Sequence, residues 1–298
     1  MISDDYTEAW LTGPDSTKFY TRTYHAAPGT SKAVVVFIHG FQEHIGRYTD
    51  AHPEYAKRGI NVFAFDQRGF GRTALDAAHK SADSVYGRTH GEKQMGDVQW
   101  ALGHAAEAFP GLPLFLSGHS MGGGESLNFP IRRTDSEPKL CGVVACSPIV
   151  LRTPPAAPVP HWKDGDEDSI NETVPVRVDG SSLTRDPRFN KMCTTDPLSM
   201  RRASTRHRSD IIRWGEELLE ENYKKWPKTL PLLIVHGSGD MLTSHVAAQA
   251  LYDKLECDDK HIIIYPEGYH ELVHELEYRE KVLDAMISFI EQRIPVPE

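Results

Sequence analysis

Six short runs of apolar residues recur along the chain, and they constrain its fold more than any other feature. They cover residues 34–38, 62–65, 112–116, 143–146, 232–235 and 262–265. An unbroken apolar run is typical of a strand buried on both faces, because a strand with one wet face alternates apolar and polar residues. Strands of that kind occur mainly in parallel sheets. The sequence therefore predicts a mostly parallel sheet that is covered on both sides.

Segments with a helical apolar period lie between several of these runs. The clearest covers residues 92–109, where apolar side chains such as Met95 and Val98 recur at three- and four-residue steps. Residues 246–255 and 278–290 have the same spacing. Strands that alternate with amphipathic helices are typical of a doubly wound sheet. The predicted fold class is α/β, with a mostly parallel central sheet flanked by helices.

One stretch between the fourth and fifth runs breaks this alternation. Residues 152–226 contain no strong strand pattern and begin with a proline-rich segment, which cannot form a helix because proline lacks the N–H donor. Acidic residues cluster at 164–168 and basic residues at 201–208, and such clusters are typical of solvated surface. We interpret 152–226 as a cap, or lid, inserted between two parts of one core, residues 1–151 and 227–298.

The composition argues against several classes of protein. With a formal net charge of −9 and a pI near 5.9, the chain lacks the basic field that nucleic acid requires. Neither a membrane-spanning run nor a secretory signal is found, so we expect a cytoplasmic protein, soluble or at most peripheral to membranes. Cys141, Cys146, Cys193 and Cys257 have no paired spacing, which favours reduced thiols over a zinc site.

Residues 112–124 combine a strand, a tight turn and the start of a helix around Ser120. The turn reads Gly-His-Ser-Met-Gly at residues 118–122. Gly-x-Ser-x-Gly in this context is the nucleophile elbow of α/β-hydrolases, where the glycines permit a sharp turn that holds the serine hydroxyl above the sheet. The pattern alone is moderately specific, and the strand before it and the glycines after it strengthen the prediction. Ser120 is therefore predicted to be the nucleophile of a serine hydrolase with the α/β-hydrolase fold.

A serine nucleophile needs a base beside it and an acid that orients the base. In this fold the three residues follow in the order Ser, Asp or Glu, His, and they lie at the carboxyl ends of strands. Asp240 lies just beyond the fifth apolar run, and His270 lies just beyond the sixth. Ser120, Asp240 and His270 are predicted to form a catalytic triad.

Several other acidic residues and histidines compete for these roles. Those nearest the last run are Asp258, Asp259, His261 and His274, which we interpret as surface or capping residues. Asp66 also follows a predicted strand, but it precedes Ser120, which is the wrong order. We interpret its loop as one that side-chain hydrogen bonds hold in shape.

Acyl transfer also needs two backbone N–H groups to stabilise the negative charge that develops on the substrate oxygen. One is predicted at Met121, directly after the nucleophile, where the helix N-terminus also favours an anion. The other is predicted at Phe41, in the loop after the first apolar run. His39 lies in the same loop, and we interpret it as a loop-fixing residue rather than a base.

Five segments, in order, resemble the monoacylglycerol lipase family and its fungal members in particular. They are His-Gly-Phe-Gln-Glu-His at 39–44 with Arg47-Tyr48, Asp-Gln-Arg-Gly-Phe-Gly at 66–71, Gly-His-Ser-Met-Gly-Gly at 118–123, Asp-Pro-Leu at 196–198 and His-Gly-Ser-Gly-Asp at 236–240. The elbow is common to many hydrolases, whereas the first loop and the Asp-Pro-Leu segment narrow the resemblance. It covers most of the chain outside the first half of the predicted cap.

This resemblance implies hydrolysis of a monoacylglycerol to a fatty acid and glycerol, without a metal or organic cofactor. It supports Ser120, Asp240 and His270 as the triad, with Phe41 and Met121 as the oxyanion donors.

The resemblance also implies that Glu43 and Arg47 lie near the glycerol hydroxyls. A buried carboxylate that accepts hydrogen bonds from hydroxyls would favour a polyol ester over a simple ester. The alternative for both residues is a loop-anchoring ion pair. Cys193 and Val273 depart from the family, because some members carry a tyrosine and a second histidine at these positions.

The predicted cap departs from the family as well. Residues 161–173 are polar and acidic, whereas family members carry a long apolar helix that docks on membranes. Any contact with membranes or lipid droplets is therefore expected to be peripheral and through the cap. Alternative functions are hydrolysis of a lysophospholipid, hydrolysis of a short-chain ester or thioester, and a non-catalytic binding scaffold. The complete triad argues against the scaffold.

Overall fold

The computed structural model describes residues 6–135, 137–154, 159, 168–176 and 180–295. The proline-rich and acidic parts of the predicted cap lie largely outside these residues. In the described part of the chain, no helix combines the length and the apolar character needed to cross a membrane.

Most of the described strands belong to one central sheet. In chain order, the strands are β1 (Thr7–Thr12), β2 (Lys18–Tyr24), β3 (Ala33–Ile38), β4 (Ile60–Phe65), β5 (Leu114–His119), β6 (Gly142–Cys146), β7 (Thr173–Pro175), β8 (Arg202–Ser204), β9 (Leu232–Gly237) and β10 (Lys260–Tyr265). Eight of them form the sheet in the order β1-β2-β4-β3-β5-β6-β9-β10, and β7 pairs with β8 separately. The six strands from β4 to β10 in that order are parallel, so their carboxyl ends meet at one edge.

Helices cover both faces of this sheet. They are α1 (His52–Lys57), α2 (Gly71–Leu75), α3 (Gly91–Ala108), α4 (Met121–Arg132), α5 (Asp168–Asn171), α6 (Pro187–Thr195), α7 (Thr205–Glu220), α8 (His245–Lys254) and α9 (Arg279–Glu291), with short 3-10 turns at Pro14–Ser16, Ile45–Tyr48, Gly180–Ser182, Asn222–Lys225 and Leu272–His274. The three helices predicted from periodicity correspond to α3, α8 and α9. The predicted α/β class, a mostly parallel sheet flanked by helices, is confirmed.

The unbroken apolar runs are explained by two hydrophobic cores, one on each face of the sheet. Along β3, Val34 and Val36 pack with residues of α3, α4, α7 and α8, whereas Val35 and Phe37 pack with residues of α1 and α9. Because side chains alternate between the faces of a strand, a strand with apolar cover on both faces must be apolar throughout.

The first two strands contain no such apolar run, and they are therefore not predicted from the sequence. β1 is mostly exposed, and it pairs antiparallel with β2, which in turn pairs antiparallel with β4. β2 is buried but polar: Arg22 donates to the hydroxyl of Tyr20 at 2.8 Å and to Thr49 at 2.9 Å. A buried hydrogen-bond network therefore replaces the apolar pattern.

The described part of the predicted cap packs closely on the core. β7 and β8 are only three residues long, and α7 inserts Trp214 and Leu218 into the core that α3 and α4 line. The boundary of the cap at residues 152 and 226 stays a prediction.

Candidate active site

Ser120 occupies the turn between β5 and α4, at the carboxyl edge of the sheet. Its backbone has φ 55° and ψ −112°, a conformation that costs a non-glycine residue about 1–3 kcal/mol. Two glycines permit the close packing that holds it: a Cβ on Gly118 would lie 2.1 Å from the carbonyl oxygen of Gly122, and one on Gly122 would lie 2.2 Å from that of Ile38. The contacts among β3, β5 and α4 therefore fix the position of the hydroxyl.

Ser120, His270 and Asp240 form a continuous hydrogen-bond chain. Oγ of Ser120 lies 2.9 Å from Nε2 of His270, and Nδ1 of His270 lies 2.7 Å from Oδ2 of Asp240. The three residues follow the parallel strands β5, β10 and β9, and this places them at one edge although Ser120 and His270 are 150 positions apart. The structure thus brings the three predicted residues together, and all three are buried.

The carboxylate of Asp240 is held by several donors besides His270. Oδ1 accepts from the N–H groups of Leu242 and Thr243 at 2.7 and 3.0 Å, and Oδ2 accepts from the Thr243 hydroxyl at 2.7 Å. Burial opposes ionisation, but His270 and His236 lower the pKa of Asp240 well below its ordinary value. The charged carboxylate favours the imidazole with its proton on Nδ1, which leaves Nε2 free to act as a base.

Phe41 and Met121, the predicted oxyanion donors, both lie beside Ser120. Met121 is the first residue of α4, so its N–H has no acceptor within the helix. Phe41 follows Gly40, and a Cβ on Gly40 would lie 3.1 Å from the Cβ of Ser120. The loop after β3 therefore passes next to Ser120.

Two buried side chains fix this loop. His39 donates through Nδ1 to the following carbonyl at 2.8 Å, and its Nε2 accepts from the N–H of Gln67 at 2.9 Å. The Asp66 carboxylate accepts from the N–H groups of Ile45 and Arg72 at 2.8 and 2.6 Å. Both residues thus tie adjacent loops together, in line with their interpretation from the sequence.

A cavity of about 390 Å³ opens beside Ser120 and His270. Part of its lining is apolar and includes Ile149, Val176, Leu183, Ile211 and Leu242. Another part is ionisable and includes Glu43, Arg47, Arg152, Arg201, Arg208 and Glu271. The core and the predicted cap both contribute to these walls.

Glu43 and Arg47 border this cavity, but each pairs with a different residue. Within the described residues, Glu43 Oε1 lies 3.2 Å from Nδ1 of His119, and Arg47 donates to Asp196 at 3.0 Å. The second Glu43 oxygen accepts from the N–H of Gly40 at 3.1 Å and from a tyrosine hydroxyl at 2.6 Å. Both residues therefore anchor loops through partners other than each other.

His119 and Glu271 join Glu43 in a buried cluster that sequence reasoning does not single out. A ligand atom from each of the three lies within 4.8 Å of the other two. His119 also lies against the base, with Nε2 at 3.2 Å from the carbonyl oxygen of His270. The only signals in the sequence are that His119 precedes Ser120 and that Glu271 follows His270.

The three members of the cluster differ in charge. Burial opposes the charge on His119, but Glu271 and Glu43 raise its pKa to about 9. Burial also opposes ionisation of Glu43, but His119 lowers its pKa well below the ordinary value. Burial, together with the charge on Glu43, raises the pKa of Glu271 to about 8. These shifts favour an imidazolium at His119, a carboxylate at Glu43 and a protonated carboxyl at Glu271.

Two carboxyls and an imidazole form a donor set that divalent cations accept. In this cluster, however, both oxygens of Glu43 already have protein partners, and His119 lies between Glu43 and the carbonyl of His270. Because a metal would have to break these contacts, we assign no metal to the cluster.

The acidic residues and histidines that compete with Asp240 and His270 take no part in the hydrogen-bond chain from Ser120 to Asp240. Asp258 and His261 are exposed, and Asp259 pairs with Arg293 at 2.7 Å. The interpretation of His274 as a surface or capping residue is wrong. It lies buried in a 3-10 turn and stacks on Phe189 of α6 at 4.1 Å, and burial lowers its pKa to about 3.

The four cysteines are free thiols, as expected from their spacing, and Cys146 and Cys193 are buried. Cys193 borders the cavity, and burial raises its pKa to about 12. Val273, the other position that departs from the family pattern, is buried in the core.

Comparison with known sequences identifies relatives over most of the chain. The sequence profile of the serine aminopeptidase S33 family matches residues 29–277. A monoglyceride lipase from Mus musculus is 30% identical over 280 residues, which are 91% of this chain and 86% of that protein. A monoacylglycerol lipase from Mycolicibacterium smegmatis is 29% identical over 261 residues, which are 87% of this chain and 88% of the relative.

Comparison with solved structures finds the same fold. A soluble variant of monoglyceride lipase from Saccharomyces cerevisiae, solved in complex with a substrate analogue, superposes with a TM-score of 0.80. The two sequences are 22% identical, and the superposition covers 97% of this chain and 96% of the other.

Proposed function

The chain belongs to the serine aminopeptidase S33 family of α/β-hydrolases, and on that premise we propose that it hydrolyses monoacylglycerols to a fatty acid and glycerol. One observation carries the proposal: the hydroxyl of Ser120 lies 2.9 Å from Nε2 of His270, whose Nδ1 lies 2.7 Å from Asp240. Monoglyceride lipase relatives that span most of the chain support the choice of substrate.

In the first half of the reaction, Oγ of Ser120 attacks the ester carbonyl carbon while Nε2 of His270 takes the hydroxyl proton. Asp240 stabilises the imidazolium that forms. The carbonyl oxygen becomes an oxyanion that accepts hydrogen bonds from the N–H groups of Phe41 and Met121, and each such donor contributes about 2.7–4 kcal/mol. As the tetrahedral intermediate collapses, glycerol leaves with the proton from His270, and the acyl group stays on Ser120.

The second half repeats these steps with water. His270 takes a proton from water, the resulting hydroxide attacks the acyl carbonyl, and the fatty acid leaves as His270 returns the proton to Ser120. Removal of Ser120 or His270 therefore blocks both halves of the cycle.

The cavity suits an amphiphile with one acyl chain. Its volume falls within the range of small-ligand sites. Apolar side chains such as Leu183 and Ile211 offer a surface for the chain, and the ionisable groups near His270 offer one for the head group. Because residues on both sides of position 152 line this space, we assign residues 152–226 to a cap that covers the active site.

The same geometry suggests where a lipid surface would meet the protein. Met241 is exposed and borders the cavity, and Met192 and Met200 are exposed beside cavity residues of the predicted cap. Such a small apolar rim supports peripheral contact with membranes or lipid droplets rather than insertion. A cytoplasmic location accords with this picture.

A second candidate substrate is a lysophospholipid. Arg152, Arg201 and Arg208 border the cavity, and guanidinium groups bind phosphate through paired hydrogen bonds. The acyl-transfer steps would be the same for either substrate.

The test compares the Ser120→Ala variant with a Ser117→Ala control on monoacylglycerol and lysophospholipid of equal chain length. Ser117 is buried in β5, and its hydroxyl has no partner in the described part of the chain. We expect Ser120→Ala to lose at least about a thousandfold in turnover, while Ser117→Ala keeps its activity and the monoacylglycerol is the faster substrate. Wild-type turnover by Ser120→Ala would disprove the mechanism, and a faster lysophospholipid would overturn the choice of substrate.

A further inference from the structure

The Glu271 side chain is one of several buried polar side chains that lack a hydrogen-bond partner, and among the described residues it is the one of these that borders the cavity beside Ser120. It is 1% exposed, and neither carboxyl oxygen has a hydrogen-bond partner among the described residues. A buried polar group without a partner costs roughly 1–3 kcal/mol. Such groups are rare in folded proteins, and each one calls for an explanation.

Glu43 offers a contrast within the same cluster. One of its oxygens accepts two hydrogen bonds, and the other faces His119 at 3.2 Å. A carboxylate has about four acceptor positions, so most of the capacity of Glu43 is already used by the protein. Glu271 accepts no hydrogen bond from the described residues, although its Oε2 lies 3.9 Å from Nε2 of His119.

Glu271 also borders the part of the cavity where a leaving alcohol has to lie. The proton that the alcohol takes away comes from Nε2 of His270, so the head group lies next to that ring. Glu271 follows His270 directly and lines the same cavity as Ser120. Its backbone is fixed there, because its N–H donates to the carbonyl of Leu183 at 2.8 Å.

We infer that Glu271 is the side chain that recognises the free hydroxyls of a polyol ester, an inference that rests on the proposed hydrolysis of monoacylglycerols. Glu43 then serves mainly to hold the loop after β3 and the ring of His119. The substrate class that Glu271 selects is an ester whose alcohol carries hydroxyls next to the ester oxygen.

The protonation of Glu271 matches this role. Burial and the charge on Glu43 raise its pKa to about 8, which favours the protonated carboxyl, a group that has one O–H donor and one carbonyl acceptor. A vicinal diol has both kinds of group and can satisfy both atoms. A site built to bond a hydroxyl discriminates strongly against an analogue that lacks it, because its own polar groups are then left unpaired.

The experiment measures kcat/KM for monooctanoylglycerol and methyl octanoate, which share the acyl chain and differ in the alcohol. The variants are Glu271→Leu, which removes donor and acceptor, and Glu271→Gln, which keeps both. Glu125→Leu is the matched control. Glu125 is a buried carboxyl of α4 with one unpartnered oxygen among the described residues, and it does not border the cavity beside Ser120.

We expect Glu271→Leu to lower the ratio of the two kcat/KM values, glycerol ester over methyl ester, by about tenfold. Glu271→Gln should stay within about threefold of the wild-type ratio, and Glu125→Leu should leave the ratio unchanged. An unchanged ratio in Glu271→Leu, or an equal loss on both esters, would overturn the inference. Failure of the wild type to cleave monooctanoylglycerol would instead overturn the proposed function.

Discussion

The Glu271 side chain shares a buried site with Glu43 and His119. Burial raises the pKa of Glu271 to about 8, from an ordinary value of 4.5. The ionisable groups that face it are Glu43, His119 and Arg47, and the first of these adds to the increase. The folded protein therefore binds a proton that the unfolded chain has already lost over this range of pH.

This difference makes stability depend on pH in a definite direction. For an acid whose pKa is higher in the folded state, the free energy of unfolding falls as pH rises between the unfolded and the folded pKa. The Glu271→Leu variant lacks this proton. The Tm of the variant minus that of the wild type should therefore increase as pH rises from about 5 to about 8. Thermal unfolding of both proteins across this range measures the effect. A Tm difference that stays constant with pH would contradict the raised pKa.

The triad could be predicted from the sequence because each member is attached to a strand end. Apolar runs mark β5, β9 and β10, and parallel topology places their carboxyl ends on one edge. His119 ends β5 and Glu271 follows His270, but Glu43 lies in the loop after β3, and nothing in the sequence indicates that the three side chains meet. Their meeting depends on the paths of two loops, which no periodicity in the sequence encodes.

At the level of the element, the contact between the start of α4 and the end of β3 determines the nucleophile turn. A Cβ on Gly122 would lie 2.2 Å from the carbonyl oxygen of Ile38, so two backbone segments would have to separate. Gly103 in α3 is the opposite case, because a Cβ there would meet nothing within 4 Å.

Alanine at these two glycines should therefore have opposite effects. Gly122→Ala is expected to lower the free energy of unfolding by about 3 kcal/mol or more and to abolish activity. Gly103→Ala should raise it by about 0.5–1 kcal/mol, because alanine loses less backbone freedom in a helix than glycine does. Urea unfolding monitored by circular dichroism measures both changes. Equal stability of the two variants would argue against the proposed packing.

The elements that sequence reasoning predicted and those it missed differ in their surroundings. β3 to β6 and β9 are buried along their whole length, which requires mostly apolar side chains, whereas the edge strand β10 is only partly buried and is recognised by its run of isoleucines. β1 lies exposed at the edge of the sheet, and β2 buries Arg22 in a hydrogen-bond network. A single sequence does not reveal that a charged residue has a buried partner.

Across the whole molecule, polar contacts near the cavity supplement the apolar packing that ties the described residues of 168–226 to the core. Asp196 accepts from both His44 and Arg47 at 3.0 Å, and Arg185 donates to Glu275 at 2.9 Å. Burial opposes ionisation of Asp196, but His44 lowers its pKa to about 2. The carboxylate is therefore charged throughout the physiological range and holds the end of α6 against the loop after β3.

Loss of this charge should loosen α6 without affecting the sheet. In Asp196→Asn, we expect the backbone N–H groups of α6 after Pro187 to exchange hydrogen about tenfold faster, while β3 and β5 keep their protection. Hydrogen exchange with mass spectrometry measures this. Arg188→Ala is a suitable control, because that side chain is 83% exposed and, among the described residues, pairs with Asp186 of the same turn. An equal increase in the exchange rate of α6 in both variants, or faster exchange in the sheet, would contradict the proposed role of Asp196 in holding α6.

The position of His270 after the last strand of the sheet has a consequence for synthesis. Ribosomes extend a chain from its N-terminus at roughly 5–20 residues per second, and 150 residues separate Ser120 from His270. For roughly 8–30 seconds, Ser120 therefore exists in the nascent chain before His270 has been synthesised. The hydrogen bond between the two side chains cannot form until β10 and the residues after it have joined the sheet.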